Sequence, residues 1–293
     1  MKKIIKNFNH LLGILLVILG VSLYAYPMAN EHYMKYITSE FIHSYSEKLN
    51  HDNLKKEKDA RYILVKNYNQ SIFESHQEEL RDVWSYEQVP TNLYCFEDNL
   101  FGYIEIPVMD VRMVLYIGSD HDTLKKGAAI LSQTSIPIGG KNMNCVIAAH
   151  RGYQGIPFFR EIEKLKVGDK VFITNPWETL TYIVRKTEII APNDYEKVLI
   201  QPGKDIITLL TCHPYAAHGK QRYVVYCERK GTGNPVMISS QIEETDITKG
   251  DSSFSSIHKI EEEKIIRKIA GGFIFLLFLL HFFLTIKAKG TRK

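Results

Sequence analysis

The chain runs to 293 residues, with 37 Lys and Arg against 33 Asp and Glu and a formal net charge of +4. That length holds one medium domain plus flanking segments. So small a charge, with no basic stripe interleaved with aromatics, argues against a nucleic-acid partner. The cysteines Cys95, Cys145, Cys212 and Cys227 form no C-x-x-C pair. Neither a zinc site nor a dithiol redox motif is therefore expected, no metal or cofactor is assigned, and all four thiols are expected to be reduced.

At the amino end Lys2, Lys3 and Lys6 precede an uncharged run from Leu11 to Met28. A bilayer needs a minimum of roughly 17 such residues, so 1–10 is predicted as a cytoplasmic amino terminus and 11–28 as a transmembrane helix or signal anchor. The basic flank orients it. A cleavable signal peptide is the rival, but 22–29 has small residues without a clean A-x-A pattern, and an uncleaved anchor is expected. Residues 29–98 read as a charged helical region of two or three helices. Ile63, Tyr68, Ile72 and Phe73 recur there at helix-like spacing, whereas 50–58 is largely polar.

Residues 99–231 read as mainly β. Strand-like runs stand at 102–106, 112–116, 128–131, 145–149, 170–174, 179–190, 205–211 and 222–228, punctuated by Gly and Pro. Short strands of this kind point to a closed barrel rather than an open sheet. Short helices are predicted at 122–126, ended by Gly127, and at 157–164. From 232 to 267 Ser, Thr, Asp and Glu dominate, which reads as a polar linker. A second uncharged apolar run from Ile269 to Ile286 makes 268–286 a further transmembrane candidate, and 287–293 is a basic cytoplasmic tail.

The chemistry concentrates at strand ends. Cys212 closes the apolar run 205–211 and is followed by a loop containing Pro214 and Gly219, after which Arg222 opens the next strand. His150 closes another apolar run just before Gly152. A free cysteine is ordinarily a small buried hydrophobe, but this one has company. A thiol, an imidazole and a guanidinium are the parts of thiol acyl transfer: nucleophile, proton shuttle and oxyanion or substrate holder. A thiol with an ordinary pKa near 8.5 is mostly protonated at neutral pH, so a nearby cation helps it to ionise. Arg151 competes with Arg222 for the cationic role, although its place beside a glycine turn reads as loop packing. His213 and His218 read as solvated loop side chains.

Thr208-Leu-Leu-Thr-Cys212 resembles the TLxTC signature of the sortases, the cysteine transpeptidases of Gram-positive cell surfaces. Ala149-His150-Arg151-Gly152 and Arg222-Tyr-Val-Val match the other two family motifs in order. Gly102-Tyr-Ile-Glu-Ile-Pro, Gly127 through Gly140 and Leu165-Lys-Val-Gly-Asp-Lys also resemble family landmarks, so the likeness covers about 101–229. The resemblance implies a sortase-type eight-stranded β-barrel with an extracellular catalytic domain at the cell membrane. It implies Cys212, His150 and Arg222 as catalytic residues, with Thr211 and Tyr215 as substrate-binding candidates. Partners would be the lipid bilayer and pilin or surface proteins bearing LPxTG-like sorting signals, cleaved between Thr and Gly.

Within the family, a helical amino-terminal region with a Tyr-Asn pair, here Tyr68-Asn69, is a mark of class C, which joins the acyl group to a lysine amine of another pilin subunit. Many class C members carry an Asp-Pro-aromatic lid. Here Asp82-Val-Trp84 is the nearest equivalent, without the proline that presets the turn, and an exposed helix with one anchoring indole is the competing reading. A housekeeping sortase that anchors proteins to peptidoglycan, a membrane-tethered cysteine protease and a non-enzymatic pilus assembly scaffold are the alternatives. Substrates of the family also end in an apolar tail and basic residues, preceded by an LPxTG-like pentapeptide. None stands between Asn234 and Lys268, so the chain reads as enzyme rather than substrate.

Overall fold

The computed structural model describes residues 2–51, 59–80, 91, 93, 95–215, 219–231 and 251–290. Eight strands form in the segment read as β: β1 Leu100–Ile106, β2 Val111–Ile117, β3 Ala128–Ile130, β4 Met143–Ala148, β5 Lys170–Thr174, β6 Thr179–Ile190, β7 Asp205–His213 and β8 Gln221–Arg229. They close into a barrel in the order β1-β2-β3-β4-β7-β8-β6-β5. The β2–β3 and β4–β7 pairings are parallel and the rest antiparallel.

Alternation along the strands divides the apolar residues between two clusters. Ile104, Ile106, Leu115, Ile147, Ile173, Leu209 and Val225 fill the barrel. Val146, Leu210, Val224 and Tyr226 face the other way and pack with Leu80, Ile190 and Val198. Strands β4, β7 and β8 are thus covered on both faces, which is why they read as continuous apolar runs rather than as alternating ones.

The helices are α1 Lys2–His51, α2 Ala60–Glu74, α3 His121–Lys126 and α4 Asp251–Gly290. The sequence divides 1–51 at residue 28, but α1 runs through that boundary, with Pro27 inside it. A mid-helix proline removes one backbone hydrogen bond, and contacts beyond it hold the line: the Asn30 amide donates to the Gln154 carbonyl at 2.8 Å and the Tyr45 hydroxyl to the Phe101 carbonyl at 2.8 Å. Among the described residues, Leu11–Glu47 is the one helical stretch long and apolar enough to cross a membrane.

Two further expectations need correction. A helix was expected over 157–164, but only Ile162–Lys164 forms a single 3-10 turn. Phe158 takes a left-handed φ of 44°, which helical backbone excludes, and so buries its ring in the core beside Phe159. The polar linker was drawn to residue 267, but α4 is already helical from Asp251. Its charges pair along the helix, His258 with Glu262 and Lys264 with Glu261, and Lys264 also binds Glu161 on the barrel side. Ser256 and Ile260 are buried. A helix stabilised by i,i+3 and i,i+4 ion pairs lacks the apolar period that would announce it.

The Tyr68-Asn69 pair has a structural task. Tyr68 donates to the Thr134 carbonyl at 3.2 Å, and the buried Asn69 side chain brackets Ile136, accepting from its N–H at 2.8 Å and donating to its C=O at 2.9 Å. Asn69→Ala strands both backbone groups away from water. Each such loss costs about 1–3 kcal/mol, so the variant is expected to lose about 2–4 kcal/mol of unfolding free energy in a denaturant titration. Asn69→Ala with unchanged stability would show that the bracket is dispensable.

Candidate active site

Three adjacent strands converge on one end of the barrel. β4 and β7 run parallel with Val146 beside Thr208 and Ala148 beside Leu210. The pairing is pinned by a buried polar contact, in which the Thr208 hydroxyl donates to the Asn144 side-chain oxygen at 2.9 Å while the Asn144 amide donates to the Val198 carbonyl at 2.8 Å. The ladder extends past the end of β4, because the Ala149 N–H donates to the Leu210 carbonyl at 3.2 Å and the Thr211 hydroxyl to the Ala149 carbonyl at 2.7 Å. One step further brings His150 level with Cys212. Neighbouring strands lie about 4.8 Å apart.

On its other side β7 pairs with β8, and there Cys212 is directly opposite Arg222. Directly opposed residues of an antiparallel pair have Cα atoms about 4.5–5.5 Å apart. Parity fixes the face. Residues 208, 210 and 212 of β7 and 222, 224 and 226 of β8 share the outer face with Val146 and Ala148. The thiol and the guanidinium are therefore brought to one side of one sheet, and His150 stands just past the end of the neighbouring strand.

Local detail refines the arrangement. Arg222 is buried, and its Nη1 donates to the carbonyls of Gly219 at 2.8 Å and Gln221 at 2.9 Å. Gly219, at φ +61°, lies so close that an added Cβ would sit 3.0 Å from Cys212 Sγ and 3.3 Å from Arg222 Nη1. Glycine alone meets both the left-handed backbone and the close approach. Cys212 is partly exposed. His150 stacks on Tyr153 at 5.0 Å and meets Phe158 edge-on at 6.2 Å. Its Nε2 is buried and finds no hydrogen-bond partner among the described residues, a vacancy that native proteins rarely leave without a functional reason. Burial, and then the nearby His121 and Lys125 on α3, lower the His150 pKa below that of a free imidazole.

The remaining sequence candidates fall differently. Thr211 is buried with its hydroxyl committed to Ala149. It fastens the end of β7 to the residue before His150. Tyr215 is anchored to α4, its N–H donating to Ser256 Oγ at 3.3 Å and its hydroxyl to Glu263 at 2.8 Å. Asp82, Trp84 and His218 lie outside the described residues. His213 and Arg151, read as loop side chains, are both buried and join Glu163, which sequence reasoning passed over. The run Glu161-Ile-Glu-Lys164 reads as a solvated charged face, and no local signal marks its second carboxylate as internal. Among the described residues no group of His, Cys, Asp and Glu is arranged to hold a metal ion.

A partly exposed thiol facing an arginine across one strand pair, with an imidazole just past the end of the next strand, is an arrangement suited to cysteine acyl transfer. A sortase-domain family model matches residues 104–230. Sortase C from Clostridium perfringens SM101 is 34% identical with a TM-score of 0.54, over 65% of this chain and 98% of that one. A Clostridium perfringens sortase C solved with the C-terminal cell wall sorting motif gives 34% and 0.56, over 66% and 98%. Sortase C1 of the group B streptococcal pilus island 1 is 28% identical with a TM-score of 0.58, over 64% and 96%. Sortase D of Bacillus subtilis is 28% identical over 130 residues, which is 44% of this chain and 63% of that protein. Sortase A of Streptococcus agalactiae is 30% identical over 138 residues, 46% and 54%. The chain thus spans under two thirds of the length of these two curated relatives. It belongs to the sortase family.

Proposed function

We propose that this chain is a membrane-anchored sortase of the pilin-polymerising kind, with Cys212 as nucleophile, His150 as proton shuttle and Arg222 as substrate and oxyanion holder. The reading is supported by the register that sets Cys212 opposite Arg222, and by the β4–β7 ladder, whose hydrogen bonds reach Ala149 just before His150. The Cys212 thiolate attacks the threonine carbonyl of an LPxTG-like signal. The resulting oxyanion lies within reach of the guanidinium, the C–N bond to glycine breaks, and protonated His150 gives its proton to the departing amine. A lysine amine of a second pilin subunit then attacks the thioester, passes its proton to His150 and expels the thiolate, leaving an isopeptide bond. The likeness to sortase C structures, one of them solved with a cell wall sorting motif, supports this choice of substrate and of class.

The second reading, a housekeeping sortase acting on peptidoglycan, is favoured by the sortase A relative and differs only in the acceptor amine. The apolar helix from Leu11 and the apolar stretch 268–286 within α4 would both cross the membrane, leaving the barrel outside the cell and the two termini within it.

Incubating the full-length chain in detergent with an LPxTG-like peptide, with and without an added amine, tests the function by mass spectrometry. A Cys212 thioester and an amine-dependent ligated product are expected, whereas release of free acid at a rate indifferent to amine would make the chain a protease. Arg222→Ala is expected to lower kcat by about 10²–10³, the usual consequence of losing one oxyanion donor. A fall of less than threefold would remove Arg222 from the mechanism.

A further inference from the structure

On the inner side of the Cys212–Arg222 pair three ionisable side chains are packed almost without access to water: Arg151 at 4% exposure, Glu163 at 3% and His213 at 0%. Arg151 and His213 are the residues that follow the proposed proton shuttle and the proposed nucleophile in the chain. Arg151 Nη1 donates to the Cys212 carbonyl at 3.1 Å and to Nδ1 of His213 at 3.0 Å, while its Nη2 donates to Glu163. The guanidinium carbon lies 6.0 Å from the centre of the Tyr223 ring, which in turn lies 5.8 Å from the imidazole. A guanidinium nitrogen only donates, so Nδ1 accepts from it in one tautomer. The same Nδ1 stands 3.3 Å from the Glu163 carboxylate, which it reaches as a donor in the other. The imidazole therefore has a polar partner on this side in either tautomer.

Stability is a poor explanation for this cluster. A buried ion pair seldom outperforms apolar residues of the same volume, because both charges must be stripped of water. Here the compensation is incomplete as well, since Arg151 Nε and Glu163 Oε2 find no hydrogen-bond partner among the described residues. What the cluster does supply is geometry. It ties the main chain at Cys212 to the segment that begins with His150, across the gap between two strand ends where the β4–β7 ladder has run out.

We propose that Arg151 is a positioning residue: its guanidinium, oriented by Glu163 and His213, holds the Cys212 main chain so that the thiol and the His150 imidazole stay in reacting register. The proposal rests on the acyl-transfer reading of the site. A displacement of about 1 Å in such a pair costs on the order of 10²-fold in rate.

The full-length chain in detergent micelles is assayed with an LPxTG-like peptide, and separately by alkylating Cys212 with iodoacetamide across a pH series. Both rates are taken per folded molecule from circular dichroism. Arg151→Lys keeps a positive charge for Glu163 but loses the fork that reaches three partners. It is expected to lower kcat about tenfold to a hundredfold with KM little changed, and to alter the pH profile of alkylation. His213→Asn, whose side-chain amide can accept from Arg151 and donate to Glu163, is expected to restore most of the activity that His213→Leu loses. Arg151→Lys with both kcat and the alkylation profile of the parent chain would overturn the proposal. So would equal activity in His213→Leu and His213→Asn. Alkylation needs no peptide, so a parent chain that ignores the peptide refutes the proposed function while the profile still decides the role of Arg151.

Discussion

Cys212→Ala is expected to yield neither thioester nor ligated product, a loss on the order of 10⁴-fold or more, as when a nucleophile is removed from a comparable triad. The other thiols cannot deputise. Cys145 and Cys227 are buried in the barrel, and burial raises their pKa values, as it does that of Cys95. They stay protonated and, for the first two, out of reach. Intact-mass analysis after exposure to peptide reads the result directly: a single acyl adduct on the parent chain and none on the variant. An adduct that persists in Cys212→Ala, or more than about one part in a hundred of the parent rate, would remove the premise of covalent catalysis. The non-enzymatic scaffold makes the opposite prediction, that pilus assembly survives the substitution.

The second large effect is at His150. Proton transfer by a placed imidazole contributes about 10²–10⁴ in rate, and His150→Ala is expected to lose that much in acyl-enzyme formation while the thiol itself remains. The pH dependence carries a sign. Neutral imidazole must be available to take the Cys212 proton, so the rate falls as pH drops through the imidazole pKa. Burial, with help from His121 and Lys125, lowers that pKa, so the acidic limb is expected below the ordinary value of about 6.5. A stopped-flow profile of thioester formation measures it. A limb centred above about pH 6.5, or a loss under tenfold in His150→Ala, would assign the proton to another group.

Much of the barrel was legible in the sequence because its strands are β-branched and aliphatic runs cut by Gly and Pro, and periodicity of that sort needs no tertiary knowledge. The places of Cys212, His150 and Arg222 at strand ends were legible because each ends or begins such a run. What stayed hidden depended on contacts made far along the chain. Glu163 and His213 look like surface charges until the β4–β5 connection folds over the end of β7 and buries them. Nothing local announces that the Thr211 hydroxyl is tied to Ala149, just past the end of the neighbouring strand. The helical start of α4 looks like a tether because its stabilising pairs are charged. The expected helix at 157–164 fails for a local reason, the left-handed backbone at Phe158, which a bulky apolar residue gives no cause to foresee.

The unbroken α1 has a consequence for where the chemistry takes place. With 11–28 in the bilayer, Pro27 and Asn30 stand at the lipid headgroups, and they touch Gly155 and Gln154 in the turn just after His150. From there the helix climbs roughly 22 Å, at 1.5 Å per residue, to the clasp between Tyr45 and Phe101. In that placement the barrel would lie along the helix like a flag on a pole, with the proposed reactive edge at the foot. A protein still moored by an apolar tail would offer a cleavage motif at that same altitude, only a few residues clear of the lipid. Docking would then be a search in two dimensions, and lengthening α1 by two turns above residue 28 would lift the cleft out of its substrate's plane.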